Sequence, residues 1–327
     1  MIHADPRRAA LERWLSTQLR GARFTLAPAS EDASFRRYFR ATLDDGASYV
    51  AMDAPPEKED CRPFVHVAGL LDQAGVHAPK VHAQDLAQGF LLLTDLGTRT
   101  YLQELDAGNA AQLFGDATDA LILWQLASRE GVLPPYDEAL LRRELQLFPD
   151  WYVGKHLKAT LSASQQETLE RIFRQLVDSA LAQPRVYVHR DYMPRNLMLS
   201  EPNPGVLDFQ DAVSGPIAYD MVSLMRDAFL SWDEEHVLDW TVRYWEKAKA
   251  ARLPVDADFG EFWRAFEWMG LQRHLKVLGI FARINYRDGK PKYLADTPRF
   301  LRYARDVSRR YSALAPLNRL LDELKCG

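Results

Sequence analysis

The run His189-Arg190-Asp191-Tyr192-Met193-Pro194-Arg195-Asn196 constrains this chain more than any other stretch. It is followed by Leu197-Met198-Leu199 and, twelve residues after Asn196, by Asp208-Phe209-Gln210. The short apolar runs Asn196–Leu199 and Val206-Leu207 read as two strands paired in a hairpin. Such a hairpin carries Asn196 at one end and Asp208 at the other, with Asp191 across a tight loop from Asn196. Phosphoryl transfer needs a carboxylate to accept the attacking hydroxyl's proton, and oxygen ligands that hold Mg²⁺ on the phosphates. Either short motif alone would pass for a chance loop sequence. Together, at this spacing, they place one base and two metal ligands around a single point.

The rest of the chain is compatible with an enzyme of this kind. Its 327 residues suffice for one large domain or two ordinary ones around a cleft. Hydrophobic residues at 47% and charged residues at 26% are the balance of a folded soluble protein. A net charge of -4 gives no reason to expect nucleic acid or an acidic surface as a partner, and no obligate protein partner is evident. Cys61 and Cys326 are too few and too far apart to frame a disulfide scaffold. The N-terminus lacks the apolar run of a signal peptide, and the longest apolar stretches are far shorter than the roughly 20 residues of a membrane span. A cytoplasmic protein with no membrane partner is the expectation.

Apolar residues at helical spacing (Leu11, Trp14, Leu15, Leu19) predict an N-terminal amphipathic helix. Strands are expected at Phe24–Ala27, Phe35–Thr42 and Ser48–Asp53, with Asp44-Asp45-Gly46 turning the second into the third. A helix at Phe64–Ala74, closed by Gly75, precedes strands at Lys80–Ala83 and Gly89–Leu93. Beyond Thr100 the pattern is helical over 101–129, 137–158 and 164–182, broken by a β-rich island at Arg185–Asp211, then helical to the end. The expected division is a small β-rich lobe at residues 1–95 and a large, mostly helical lobe at 96–327, joined at Thr94-Asp95-Leu96-Gly97.

The catalytic set is that of protein kinases. With Asp208-Phe209-Gln210-Asp211-Ala212, Gly215-Pro216 and Tyr219-Asp220, the chain resembles the aminoglycoside and choline phosphotransferase family. The likeness is strongest to its bacterial anomeric amino-sugar kinases of cell-wall recycling, through Ser34-Phe35-Arg36-Arg37-Tyr38, Ala51-Met52-Asp53-Ala54-Pro55-Pro56 and Leu275–Arg283. The resemblance implies an α+β, two-lobe, protein-kinase-like fold and transfer of the γ-phosphate of ATP. The acceptor it implies is the anomeric hydroxyl of N-acetylmuramate or N-acetylglucosamine. It makes Asp191 the base, Asn196 and Asp208 the Mg²⁺ ligands, and Asp220 a structural acid on the catalytic loop's N–H groups. A helix N-cap for Met221–Leu230 is an equally natural use of Asp220. Asp211 would either support the metal or reach the substrate. Aminoglycoside or amino-alcohol kinases and a nucleotide-binding pseudokinase are the competing readings. No long segment follows Asp208 and no Ala-Pro-Glu is present, so the substrate is expected to be small.

Two pieces of the kinase pattern are missing. The turn Ser30–Ser34 has no glycine, leaving backbone N–H groups and the Ser34 hydroxyl to cradle phosphate. Val50-Ala51-Met52-Asp53 puts a methionine or an aspartate where the third-strand lysine belongs, so Arg37, Arg40 or Lys58 would supply the cation, with Arg37 preferred. Thr94 and Leu96 sit in a connector resembling the hinge that pairs with adenine. For the acceptor, residues 252–311 hold thirteen Lys or Arg against seven Asp or Glu. Arg273, Lys276 and Arg283 share one face of a helix expected over Phe259–Arg287 and either reach an anionic sugar, with Trp268 among the nearby aromatics, or form a solvated basic face.

Overall fold

The computed structural model describes residues 5–30 and 35–326, and Ser34 falls outside them. By its contacts the chain separates into two compact units. One comprises Met1–Asn109 and Arg195–Asp211, the other Ala110–Pro194 and Ala212–Gly327. Arg195–Asp211, far along the sequence, therefore packs with the N-terminal residues.

The first unit is built on a five-stranded antiparallel sheet. Its strands are β1 (Phe24–Ser30), β2 (Arg37–Leu43), β3 (Ser48–Asp53), β4 (Val81–Asp85) and β5 (Phe90–Thr94), in the order β1-β2-β3-β5-β4. The expected turn joins β2 to β3: Gly46 takes φ 88°, and the Asp45 carboxylate accepts the Ala47 N–H at 2.9 Å. Side chains alternate across the pleat. Phe39, Ala51, Phe90 and Leu92 thus face helix α1 (Pro6–Gln18), packing on Leu11 and Leu15. Asp5 caps α1, accepting the N–H groups of Arg7 and Arg8. Helix α2 (Arg62–Gln73) and the short α3 (Tyr101–Glu104) complete the unit, together with the expected hairpin, in which Leu197 pairs with Val206 and Met198 with Gly205. Gly89 is the one residue type its site accepts, because a Cβ would lie 1.8 Å from the Ala54 carbonyl oxygen.

The second unit is helical: α4 (Ala110–Leu126), α5 (Glu138–Leu145), α6 (Ala163–Ala182), α7 (Tyr219–Met225), α8 (Glu234–Ala250), α9 (Phe259–Asp288), α10 (Thr297–Arg310) and α11 (Ala315–Glu323). A two-stranded ribbon, Arg185–Val188 against Val213–Pro216, lies among them. The α+β expectation holds: a small antiparallel sheet near the N-terminus, helices in the remainder.

Three helical boundaries differ from the periodicity. The pattern over 101–129 is two helices, since the Asp106 carboxylate accepts the N–H groups of Gly108 and Asn109 and turns the chain. The pattern over 137–158 is α5 followed by a π-helical segment, Phe148–His156, with Pro149 at its start. The helix expected to reach Leu230 ends at Met225, where Asp227 binds the N–H groups of Phe229 and Leu230 instead. Among the described residues no helix is long and apolar enough to cross a membrane.

Helix α9 is buried around its whole circumference from Met269 to Gly279. That contradicts the amphipathic reading, which left one side for solvent. It packs against the π-helical segment so closely that a Cβ on Gly279 would lie 2.3 Å from the Leu147 carbonyl carbon. Gly279→Ala should therefore cost about 1–3 kcal/mol through backbone displacement, despite alanine's better helix propensity. Urea unfolding measures it. A variant as stable as the parent would mean that α9 is free to shift.

Candidate active site

In the second unit the ribbon brings two sequence motifs together. His189-Arg190-Asp191 leaves the end of one strand, and Tyr219-Asp220 lies just beyond the other. The Asp220 carboxylate accepts the His189 N–H at 2.7 Å and the Arg190 N–H at 3.0 Å. It is fully buried and lies inside α7, whose N-cap is Ala218, so the structural use of Asp220 is the observed one and the N-cap use is not. Burial pushes its carboxyl up to about 7 against the pull of those two hydrogen bonds. Arg190 takes φ 75°, a left-handed conformation. Asp191, half-buried, donates its N–H to His189 Nδ1 at 3.3 Å, and the Tyr192 hydroxyl donates to the Ala117 carbonyl at 2.7 Å. The loop is held at each of these residues.

Glu144 was not anticipated. It lies on α5 among Leu141, Leu145 and Phe148, so its signal was a lone carboxylate in an apolar i, i+3, i+4 stripe. Its carboxylate accepts from Arg190 at 2.6 Å, from Lys276 at 2.8 Å, and from the Tyr136 hydroxyl. Lys276 also donates to the Tyr219 hydroxyl at 3.0 Å. Burial pushes the Glu144 carboxyl up, but the charges of Lys276 and Arg190 outweigh it and hold it at about 2.

The first unit carries the other motif residues. The Leu207 N–H donates to the Asn196 carbonyl at 2.9 Å, closing the hairpin so that the Asn196 amide reaches an Asp208 oxygen at 3.3 Å. Asp208 takes φ 63°, a conformation aspartate tolerates better than most residues, and Gln210 donates to its other oxygen at 2.9 Å. Both residues line a pocket of about 300 Å³, together with Tyr38, Arg40, Val50, Leu93, Thr94 and Leu96, all within the first unit.

The pleat decides which strand residues reach that pocket. Tyr38 and Arg40 are on its side of β2, and Arg37 is on the other with Phe39. Arg37 instead pairs with the buried Asp53, its Nε 3.0 Å from a carboxylate oxygen, and with Asp5. The preference for Arg37 over Arg40 is therefore corrected. Of the two residues considered for the missing lysine, Met52 shares the face of Val50 and Asp53 shares the opposite one. Arg40 grips Asp95 through two hydrogen bonds of 2.6 and 3.0 Å and donates to the Gly97 carbonyl at 2.9 Å. Burial alone would raise Asp95, yet Arg40 holds it below the usual carboxylate range.

The expected acceptor residues are dispersed. Asp211 is exposed at the end of the first unit's second segment. Trp268 and Arg283 are fifteen residues apart on α9, roughly 22 Å along its axis, too far to touch one monosaccharide. Arg273 is 3% exposed and donates to the Arg226 carbonyl at 3.3 Å. Lys276 is 9% exposed and neutralised by Glu144, so it is neither a solvated cation nor an open anion site. Arg283 is half-buried, and burial pulls its pKa down. His274 packs against Phe300 and Tyr303 as a buried ring, its pKa pushed well below the usual value by burial.

Residues 25–257 match the profile of the phosphotransferase enzyme family. A protein of Pseudomonas aeruginosa called N-acetylmuramate/N-acetylglucosamine kinase is 60% identical over 302 residues, 92% of this chain and 89% of that protein. One of Neisseria meningitidis with the same name is 53% identical over 322 residues, 97% of this chain and 96% of its own. Among solved structures, an aminoglycoside phosphotransferase in ternary complex with streptomycin and ATP superposes with a TM-score of 0.61 at 16% identity, over 92% of this chain and 97% of that one. That likeness shows a shared fold.

Glu144 supplies a pH signature. Its folded pKa of about 2 lies below the ordinary 4.5, so its contribution is complete above pH 4.5 and is lost as pH falls through about 2. Glu144→Gln should cost about 3–5 kcal/mol near neutrality, because it strands the buried Lys276 and the half-buried Arg190. The gap from the parent should narrow as pH drops from 4.5 toward 2 in denaturant titrations. A gap independent of pH would show that the loss is one of packing.

Proposed function

This chain belongs to the phosphotransferase enzyme family, and on that footing we propose that it transfers the γ-phosphate of ATP to the anomeric hydroxyl of N-acetylmuramate or N-acetylglucosamine. The observation that carries the proposal is Asn196 beside Asp208 on the wall of the pocket, in a chain with two relatives of that kinase name 60% and 53% identical to it.

Each residue of the motif has a role consistent with its surroundings. Asp191 would accept the proton of the attacking sugar hydroxyl, from a loop whose backbone Asp220 holds rigid. Asn196 and Asp208 offer hard oxygen donors, the chemistry Mg²⁺ prefers. Among the described residues no cluster of three or more His, Cys, Asp and Glu would hold a metal. A Mg²⁺ held by Asn196 and Asp208 would neutralise charge on the transferring phosphoryl group. The pocket's apolar residues, Val50, Leu93 and Leu96, would enclose the adenine, with Thr94 on the connector. Arg40 lines this pocket on the face where β3 presents Met52 rather than a lysine, so Arg40 takes the cation's place in the proposal.

ADP release in the presence of each sugar, with choline and an aminoglycoside as controls, tests the acceptor. Turnover with the amino sugars and none with the controls is expected, and the reverse pattern would overturn the reading. Asp191→Asn should lower kcat by about 100-fold or more with ATP affinity retained, whereas Asp208→Ala should abolish turnover. Retained turnover in either variant would remove that residue from its role.

Arg40 and Arg37 separate by the same assay. Arg40→Ala should raise KM for ATP by roughly 10-fold or more, the scale of one charge-assisted hydrogen bond. Arg37→Ala should leave that KM within about twofold and lower the melting temperature, because Asp53 is buried beneath it. Equal effects on KM would return the role to backbone N–H groups.

A further inference from the structure

We propose that Glu144 is a positioning residue for the reaction: it anchors the Arg190 guanidinium and so fixes the turn that presents Asp191. The inference rests on the phosphotransferase activity and on Asp191 as the base, not on which sugar is the acceptor.

Residue 190 sits at φ 75°, where glycine would avoid the Cβ penalty entirely. The chain nevertheless places its bulkiest cation there. That side chain crosses the Tyr136 ring, 5.8 Å from its centroid, and ends on Glu144 at 2.6 Å. The same residue donates its backbone N–H to Asp220 at 3.0 Å. Arg190 is thus held at both ends, and Asp191 follows it directly.

Glu144 has little freedom of its own. Lys276 holds it at 2.8 Å, Gln272 reaches it at 3.4 Å, and the Tyr136 hydroxyl donates to it. Lys276 closes a ring, because its second acceptor is the hydroxyl of Tyr219, the residue before Asp220. One helix, α7, therefore grips the catalytic loop twice. Asp220 takes the backbone, and Tyr219 acts on the Arg190 side chain through Lys276 and Glu144.

Charge makes this more than scaffolding. A single carboxylate balances two cations, the half-buried Arg190 and the buried Lys276, and the charge of Asp191 is felt at Lys276. Without Glu144, those cations lose the carboxylate that pairs with both, while Asp191 follows Arg190 directly and its charge already reaches Lys276. An Arg190 drawn onto Asp191 would occupy the carboxylate that must receive the substrate's proton. Glu144 keeps it away.

The test uses Arg190→Gly, Glu144→Gln, and Glu144→Gln combined with Lys276→Met. Each is compared with wild type by kcat and KM from ADP release, using whichever acceptor the wild type turns over, by equilibrium ATP titration, and by thermal midpoint. Arg190→Gly relieves the backbone, so a purely structural role predicts undiminished activity from it. Positioning predicts a kcat lower by about 100-fold, the scale of a misplaced catalytic group, with KM and ATP affinity within about threefold. The double variant removes one stranded cation and should regain much of the midpoint lost in Glu144→Gln, while its kcat stays low. If Arg190→Gly turns over at the wild-type rate, or if kcat recovers together with the midpoint, the proposal is overturned. Should Glu144→Gln not fold, Arg190→Gly decides alone. A wild type inactive on both amino sugars would instead count against the acceptor assignment, and the variants would still be compared on the acceptor it uses.

Discussion

One carboxylate, Asp220, accepts the N–H groups of two consecutive residues, His189 and Arg190, and the loop that carries Asp191 depends on that contact. Both N–H groups reach that carboxylate with Arg190 in a left-handed conformation, φ 75°. The donors stand in for the water that a buried carboxylate loses. Burial still dominates, since the Asp220 carboxyl is raised to about 7. The arrangement survives because the ribbon Arg185–Val188/Val213–Pro216 brings both partners to the same end before any side chain acts.

The remaining charges of the second unit are organised around the same turn. Buried ion pairs are weak sources of stability, and a buried cation left without its partner is costly. Their value lies in specificity: Glu144 admits only an arrangement that also satisfies Lys276, Arg190 and Tyr136. The demand explains why α9 is apolar on no single side. It must present Gln272 and Lys276 toward α5, Gly279 toward Leu147, and His274 toward α10.

In the first unit the pleat does equivalent work. One face of the sheet receives α1 and the Arg7–Asp53–Arg37 ion-pair group, and the other lines the pocket with Arg40, Val50 and Leu93. Arg37 and Arg40 are three residues apart, so they fall on opposite faces. Their carboxylate partners are correspondingly different, Asp53 at the end of β3 and Asp95 just beyond β5.

Much was legible in the residues themselves. Hairpin turns, helix periodicity and the apolar strands are local signals, and the motif from His189 to Asp208 has a spacing that only a loop and a short hairpin satisfy, which is what formed. The family and its phosphotransfer chemistry followed from those residues. The tertiary structure decided matters that depend on residues distant in sequence. Helical periodicity describes one helix against an average environment, so it could not show that α9 is enclosed on every side, nor that Arg273 and Lys276 are buried. Alternation along β2 separated Arg37 from Arg40, but which face would border the pocket depended on where α1 packed. Glu144 was the hardest to see, because a carboxylate in an apolar stripe signals only that something pairs with it. Its partners, 46 and 132 residues further along the chain, were named only when burial forced their charges together.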